Sequence, residues 1–294
     1  MIRCLLFVIS FFSLFNLLGQ ERVLISENDN LKIFESIISL NSEGNIFPSI
    51  YNGGLIYASV YNSKKYFFSK NQFNDQAFKI GSKSTTGPVA IFNEEIYFAA
   101  NCKSKNSNRN YSRTIYKGIL KGFKVENIEA LSICNNNFSY FDPAISKDGK
   151  RMVVVSNEKG YPHLLELNRK SNNKWEKGEV IYIGHPDFQL INPSFYDKNT
   201  LYFSYNLYDG KVLSVNYIKE DGKLLVDSYE REQAAFNIYK IVKKKGKWDY
   251  PKKVEIFNSD FDDLSVIFLN EKSGYLNSFR YNDTENIYYF EMKD

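Results

Sequence analysis

Hydrophobic and polar positions alternate along most of this chain in short runs, too brief for helices and broken at intervals by Asn, Asp and Gly. The clearest run is Phe141 to Ser156, FDPAISKDGKRMVVVS. An aromatic-Asp-Pro lead-in is followed by a short apolar strand, a reversal at Asp148-Gly149, and a second apolar run from Met152 to Val155. Asp-Gly between two such runs predicts a tight hairpin, because the turn needs positive φ and Gly adopts it without steric penalty.

The pattern recurs, and a recurrence on the scale of tens of residues decides a fold before any motif does. Phe47 to Tyr51, Asn52-Gly53-Gly54 and Leu55 to Ser59 repeat the strand, turn and strand. So do Gly87 to Phe92 with Ile96 to Ala100, and Asn192 to Tyr196 with Leu201 to Ser204. A last copy, Asp262 to Phe268 with Gly274 to Ser278, lacks the proline. Anchored at Pro48, Pro88, Pro143, Pro193 and Asp263, the spacings are roughly 40, 55, 50 and 70 residues. Each copy continues into a third strand: Tyr66 to Ser69, Thr114 to Lys117, His163 to Asn168, Asn237 to Val242 and Asn286 to Glu291. A polar turn and a fourth strand follow, two of them opening with the same pair, Lys174-Trp175 and Lys247-Trp248.

Four short antiparallel strands repeated radially predict an all-β fold, a β-propeller. The last copy reaches Asp294 without a fourth strand, whereas Leu31 to Ile37 is a spare strand ahead of the first copy. Pairing these segments would close a ring of five four-stranded blades and leave no sheet edge exposed. The alternative is six blades, the additional one degenerate and lying near residues 207 to 234.

Composition agrees: 22 Tyr and 24 Phe suit half-buried pleated surfaces. A net charge of +4 over 294 residues is too mild to point to nucleic acid or an anionic membrane, so neither is expected as a partner. The first residues differ in kind. Arg3 precedes an apolar run from Leu5 to Leu18, then come Gly19 and the polar Gln20-Glu21-Arg22, the pattern of a secretory signal peptide over residues 1–19. The run is shorter than the roughly 20 apolar residues that a spanning helix needs, and Ser10, Ser13 and Asn16 interrupt it. The mature chain is therefore expected to be exported, without a transmembrane segment, as a single propeller domain over residues 20–294. Cys102 and Cys134 would remain, an even pair that an exported chain could join as one disulfide, the alternative being two separate thiols.

Asp142-Pro143-Ala144-Ile145-Ser146-Lys147-Asp148-Gly149-Lys150, the Leu201-Tyr202-Phe203-Ser204 type of second strand, Gly246-Lys247-Trp248-Asp249-Tyr250-Pro251, and Gly274-Tyr275-Leu276-Asn277-Ser278-Phe279-Arg280 resemble the TolB-type, WD40-like propeller repeats of bacterial envelope proteins. The resemblance covers most of residues 45 to 294. It implies a location in the periplasm, at the outer membrane or outside the cell. It also implies a non-catalytic scaffold that binds an envelope protein or polymer, as a monomer or as a subunit of an envelope complex. Many such propellers are joined to an OmpA-like peptidoglycan-binding domain, which is not expected here.

In a four-stranded blade, the connection between the second and third strands lies on the same face as the link to the next blade. The second copy carries an insert there, Asn101 to Arg113, and the fourth has about 25 additional residues between Tyr205 and Phe236, including a hairpin of Lys211 to Ile218 with Lys223 to Tyr229. Loops held by a rigid scaffold concentrate binding residues. This face is thus the expected partner surface, with Lys103, Lys105, Arg109, Tyr111, Arg113, Tyr161, Tyr205, Tyr208, Arg280 and Tyr281 as contacts. The plain alternative is a pair of tolerated surface insertions. Cys102 and Cys134 fall towards the same face, where a disulfide would pin the first insert.

His163 and His185 belong to different copies and lack metal-ligand spacing, and no nucleophile or nucleotide motif is present, so no catalytic residue, metal or cofactor is expected. A propeller glycosidase or related carbohydrate-active enzyme is the alternative function, because propellers can host paired acids around the axis. Asp142 and Asp262 occupy corresponding lead-in positions, but the other three copies offer Gly87, Asn192 and Phe47. On the bland reading, Asp142 caps a turn before Pro143, and Asp260, Asp262 and Asp263 form a solvated acidic loop.

Overall fold

A computed structural model of the chain describes residues 22–36, 38, 43–61, 64–70, 75–78, 80, 85–103, 111–122, 124–207, 212–220, 222–231, 235–281 and 284–293. The expected signal peptide, residues 1–19, lies outside them. No helix among the described residues is long and apolar enough to cross a membrane.

The strands follow the chain. A hairpin of β1 (Leu24–Glu27) and β2 (Leu31–Glu35) precedes a first antiparallel sheet of β3 (Gly44–Tyr51), β4 (Gly54–Tyr61), β5 (Lys64–Lys70) and β6 (Asp75–Phe78). The second sheet is β7 (Thr85–Phe92), β8 (Glu95–Lys103), β9 (Tyr111–Lys121) and β10 (Lys124–Ala130). The third is β11 (Tyr140–Ile145), β12 (Arg151–Ser156), β13 (His163–Arg169) and β14 (Trp175–Ile183). In the fourth, β15 (Leu190–Asp197) and β16 (Thr200–Tyr205) are followed by a ribbon, β17 (Val212–Glu220) with β18 (Lys223–Arg231). The chain then returns as β19 (Asn237–Lys244), which pairs with β16 and with the short β20 (Lys247–Trp248) and β21 (Lys252–Lys253). A last sheet contains β22 (Asp263–Phe268), β23 (Ser273–Ser278) and β24 (Asn286–Met292), continued by β2 and β1.

The first strands of these five sheets touch in succession, β3 to β7, β11, β15 and β22, and β22 returns to β3. This closed ring of radially arranged sheets is an all-β propeller. Each second strand is buried on both faces, which explains why it reads as a continuous apolar run. In β8, Ile96, Phe98 and Ala100 pack against Ile56 and Ala58 of the first sheet. The alternate residues Tyr97 and Ala99 pack against Met152, Val154 and Leu165 of the third. The two Trp bridge sheets in the same sense. Trp175 donates its Nε1–H to the Tyr97 hydroxyl (3.3 Å), and Trp248 donates its own to Glu179 (3.0 Å).

The seam pairs segments from opposite ends of the sequence: Leu31 with Met292, Ile33 with Phe290 and Glu35 with Tyr288. Leu31 and Ile33 are buried in the cluster formed by Val266, Leu276 and Phe290. Residues 212–231 are the predicted hairpin, and among the described residues its strands pair only with each other, so this stretch does not supply a further four-stranded sheet.

Two local devices shape the axis. Phe47, Asp142 and Asn192 all adopt left-handed backbone (φ 57°, 49° and 50°) just before a proline. At each, the pairing register slips, between Ile46 and Ser49, Phe141 and Ala144, and Ile191 and Ser194. The proline has no N–H to lose, so it sits at a bulge that leaves the ladder intact on both sides. Asn and Asp tolerate this conformation, whereas for Phe47 it is strained by about 1–3 kcal/mol. The hairpin reverses at Asp148-Gly149 as expected. Gly149 alone of the pair has positive φ (67°), its N–H donates to Ser146 O (2.8 Å), and the Asp148 carboxylate accepts from the Ser146 hydroxyl (2.6 Å) and the Lys150 N–H (3.1 Å). The Asp side chain supports the loop.

Candidate functional site

The lead-in residues divide the axis. A cavity of about 480 Å³ opens on the face of the second-to-third strand connections, and one of about 370 Å³ opens on the face of the hairpin turns. Phe47 and Asn192 border both. The carboxylate of Asp142, which is buried, accepts the Asn192 N–H (3.0 Å) and fills the space where a Cβ on Gly87 would stand. The Asn192 amide donates onward to Leu264 O (2.8 Å). Asp142 thus ties β11 to β15 through the Asn192 N–H and packs closely against β7 at Gly87.

The wider cavity is lined by Arg113, Phe141, Asp142, Phe188 and Gln189. Arg113 extends over the Phe141 ring (5.6 Å to the centroid), while its backbone N–H donates to the Ser139 hydroxyl (3.2 Å). Among the described residues no carboxylate pairs with this guanidinium. Beside it, Lys103 stands opposite Tyr111 at the end of the β8–β9 ladder, and Tyr111 is 59% exposed. Tyr161, on the next sheet, is also exposed. The structure therefore brings Lys103, Tyr111, Arg113 and Tyr161 to neighbouring sheets on one face. Phe188 and Gln189, in the link from the third sheet to the fourth, were not singled out in the sequence; the adjacent His185-Pro186 turn is the cue that could have marked them. Lys105, Arg109 and Tyr208 lie outside the described residues.

Three expectations are corrected. Tyr205 is buried, not presented: its hydroxyl accepts the His185 N–H (2.8 Å) and its ring meets Phe188 and Tyr239. Arg280 is likewise withdrawn into an ion pair with Asp263 (2.6 Å), where it also donates to Phe257 O (2.5 Å). Asp263 is wholly buried and accepts further from Ser278 (2.6 Å) and from the N–H and hydroxyl of Ser259 (2.6 and 3.0 Å), so it is no part of a solvated loop. Cys102 and Cys134 are free thiols. Cys102 shares a hydrogen bond with the Ser112 hydroxyl (3.3 Å) across the ladder, and Cys134 lies beyond the end of β10. Tyr281 keeps a partly exposed ring against Tyr288, with its hydroxyl bonded to Ser26.

The acids weighed for glycoside chemistry do not meet. Asp142 lines the wider cavity, whereas Asp262 accepts the Phe236 N–H (2.7 Å) in the link between the last two sheets. Among the described residues no group of three or more His, Cys, Asp or Glu could hold a metal ion. His163 is buried, with Nδ1 2.9 Å from Tyr161 O, and burial lowers its pKa, keeping the ring neutral near pH 7. Close by, Glu158 accepts from Tyr140 (2.5 Å) and Lys177 (2.5 Å). Burial would raise the Glu158 pKa, but these partners overcome it and lower it.

No family model matches the chain, and no curated protein does. Solved structures with similar folds include a β-fructofuranosidase of glycoside hydrolase family 32 from Bombyx mori, 12% identical over 80% of this chain and 54% of the other, with a TM-score of 0.49. TolB from Acinetobacter baumannii is 8% identical over 90% of this chain and 60% of the other, TM-score 0.47. A putative TolB from Agrobacterium tumefaciens is 11% identical over 85% and 78%, TM-score 0.47. The chain spans about half the length of the β-fructofuranosidase (54%).

Proposed function

We propose that the chain is an exported, non-catalytic propeller of TolB-like type, five blades closed by the N-terminal strand, that binds a protein or polymer of the cell envelope. Residues 1–19 are its signal peptide and residues 20–294 its single domain. Binding uses the face of the second-to-third strand connections, with Lys103, Tyr111, Arg113, Tyr161 and Tyr281 as contacts among the described residues and Lys105, Arg109 and Tyr208 as further contacts expected from the sequence. The observation that carries this reading is the Arg113 guanidinium, held over Phe141 at the axial cavity and flanked by exposed Tyr111 and Tyr161. Arg and Tyr are the residue types that most often dominate interface energetics.

Affinity capture from the native envelope tests it. The wild-type chain is expected to retain a defined partner that a Tyr111→Ala, Arg113→Ala, Tyr161→Ala variant loses. An identical set of captured molecules for the two would refute this face as the binding surface.

A further inference from the structure

The other end of the axis carries a second feature that owes nothing to the partner face. Ile50, Ile91, Ile145, Phe195 and Ile267, one from each of the five first strands, line the 370 Å³ cavity and are each only partly buried. Ile91, Ile145, Phe195 and Ile267 also pack against the sheet cores, so this apolar collar is the inner edge of those cores with part of its surface left facing the cavity. Ser265 also lines this cavity, is 5% exposed, and its hydroxyl has no hydrogen-bond partner. Ser265 lies two residues before Ile267, where Pro48, Pro143 and Pro193 precede Ile50, Ile145 and Phe195; these prolines and Pro88 of β7 also line the cavity. A buried hydroxyl left without a partner is destabilising unless something meets it.

We propose that this cavity is a binding site for a small uncharged amphiphile: an aromatic or branched apolar body within the collar and one hydrogen-bonding group that recruits Ser265. The volume lies at the lower end of the range for small-molecule sites, about 300–1,000 Å³. A buried charge is disfavoured because the collar is apolar, and a cation doubly so because Lys147, the one ionised side chain in the lining, is exposed at the mouth. The site is concave, which suits a small molecule better than a flat protein surface. A turn of Ser265 between staggered χ1 wells lets its hydroxyl donate to a carbonyl or accept from an N–H.

The probe is N-phenyl-1-naphthylamine, uncharged, with two aromatic groups and a single N–H, titrated into the full chain and followed by fluorescence. One saturable site per chain with blue-shifted emission is expected. Ile145→Glu and Ile267→Glu, on different sheets, should each weaken binding at least tenfold, Ser265→Ala about fivefold, and Arg113→Ala at the opposite end not at all. Circular dichroism identifies which variants are folded. Non-saturable binding by the wild-type chain overturns the proposal, as does unchanged affinity in the folded collar variants. If neither collar variant folds, Ser265→Ala decides, and unchanged affinity there overturns it. Loss of affinity in Arg113→Ala would move the site to the other face and equally overturn it.

Discussion

Replacing Arg280 by Ala tests the assignment of this residue to the scaffold. Its side chain is 7% exposed and Asp263 is fully buried, so the substitution strands a carboxylate away from water. Removing one partner of a buried ion pair typically costs about 3–5 kcal/mol. Ser259 and Ser278 still donate three hydrogen bonds to Asp263, which places the loss near the lower end, about 3 kcal/mol. In a domain of this size each kcal/mol lowers Tm by about 2–4 °C, so a fall of roughly 6–12 °C is expected. Urea titration followed by far-UV circular dichroism and Trp fluorescence gives the free energy directly. Tyr281→Ala, one residue on and partly exposed, should stay within about 1 kcal/mol of wild type. The double variant Asp263→Leu, Arg280→Met removes both charges and should recover most of the single-variant loss. Arg280→Ala with wild-type stability and impaired partner capture would refute the reasoning and return Arg280 to the contact surface.

Three other outcomes follow from the same geometry. Gly87→Ala places a methyl group on the Asp142 carboxylate and should cost about 1–3 kcal/mol in a thermal melt, although nothing in the sequence around Gly87 marks it as constrained. Acidification should weaken the fold in two stages. His163 has its pKa lowered by burial from 6.5, so the unfolded chain takes up its proton first and stability falls as pH drops through 6.5. Glu95 and Glu158 are held below 4.5 against the opposing effect of burial by their partners, Lys117, Tyr97 and Arg169 for one, Lys177 and Tyr140 for the other. Their contribution is complete above 4.5 and lost as pH falls through the lowered values. Denaturant titrations across pH should show both stages, and His163→Asn should abolish only the first. Iodoacetamide should label Cys102 before Cys134, whose thiol burial pushes up, and the intact mass should be unchanged by reductant.

The strand framework was legible because a hairpin writes its own turn and both its strands within some fifteen residues. The seam was legible for a different reason: Leu31 to Ile37 is apolar enough to need covering and stands spare ahead of the first repeat, although its hairpin with β1 was not foreseen. Side-chain contacts made outside the hairpin ladders left no such trace. Nothing near Arg280 reveals that Asp263, on the neighbouring strand of the same sheet, takes its charge, and Tyr205 reads as a strand-end residue until the His185–Phe188 link folds over it. The even cysteine count suggested a bridge, whereas both thiols are free in the structure, Cys102 standing across the ladder from Ser112. Of the partner face, the charged and aromatic residues near the first insert were visible as composition, whereas the cavity joining Arg113 to Phe188 and Gln189 exists only once the third and fourth sheets meet.

The pairing of β2 with β24 also has a kinetic side. Contacts between residues 31–35 and 286–292 are almost as distant in sequence as this chain allows, and such contacts form late, after the loop-closure entropy between them has been met. Until then the last sheet has an open edge and the buried residues Leu31 and Ile33 are uncovered. A second molecule in the same condition offers a matching strand, so the seam that completes one ring can equally join two. The competition between closure within a chain and exchange between chains is set by concentration, and strand-swapped dimers should accumulate when refolding is carried out at high protein concentration.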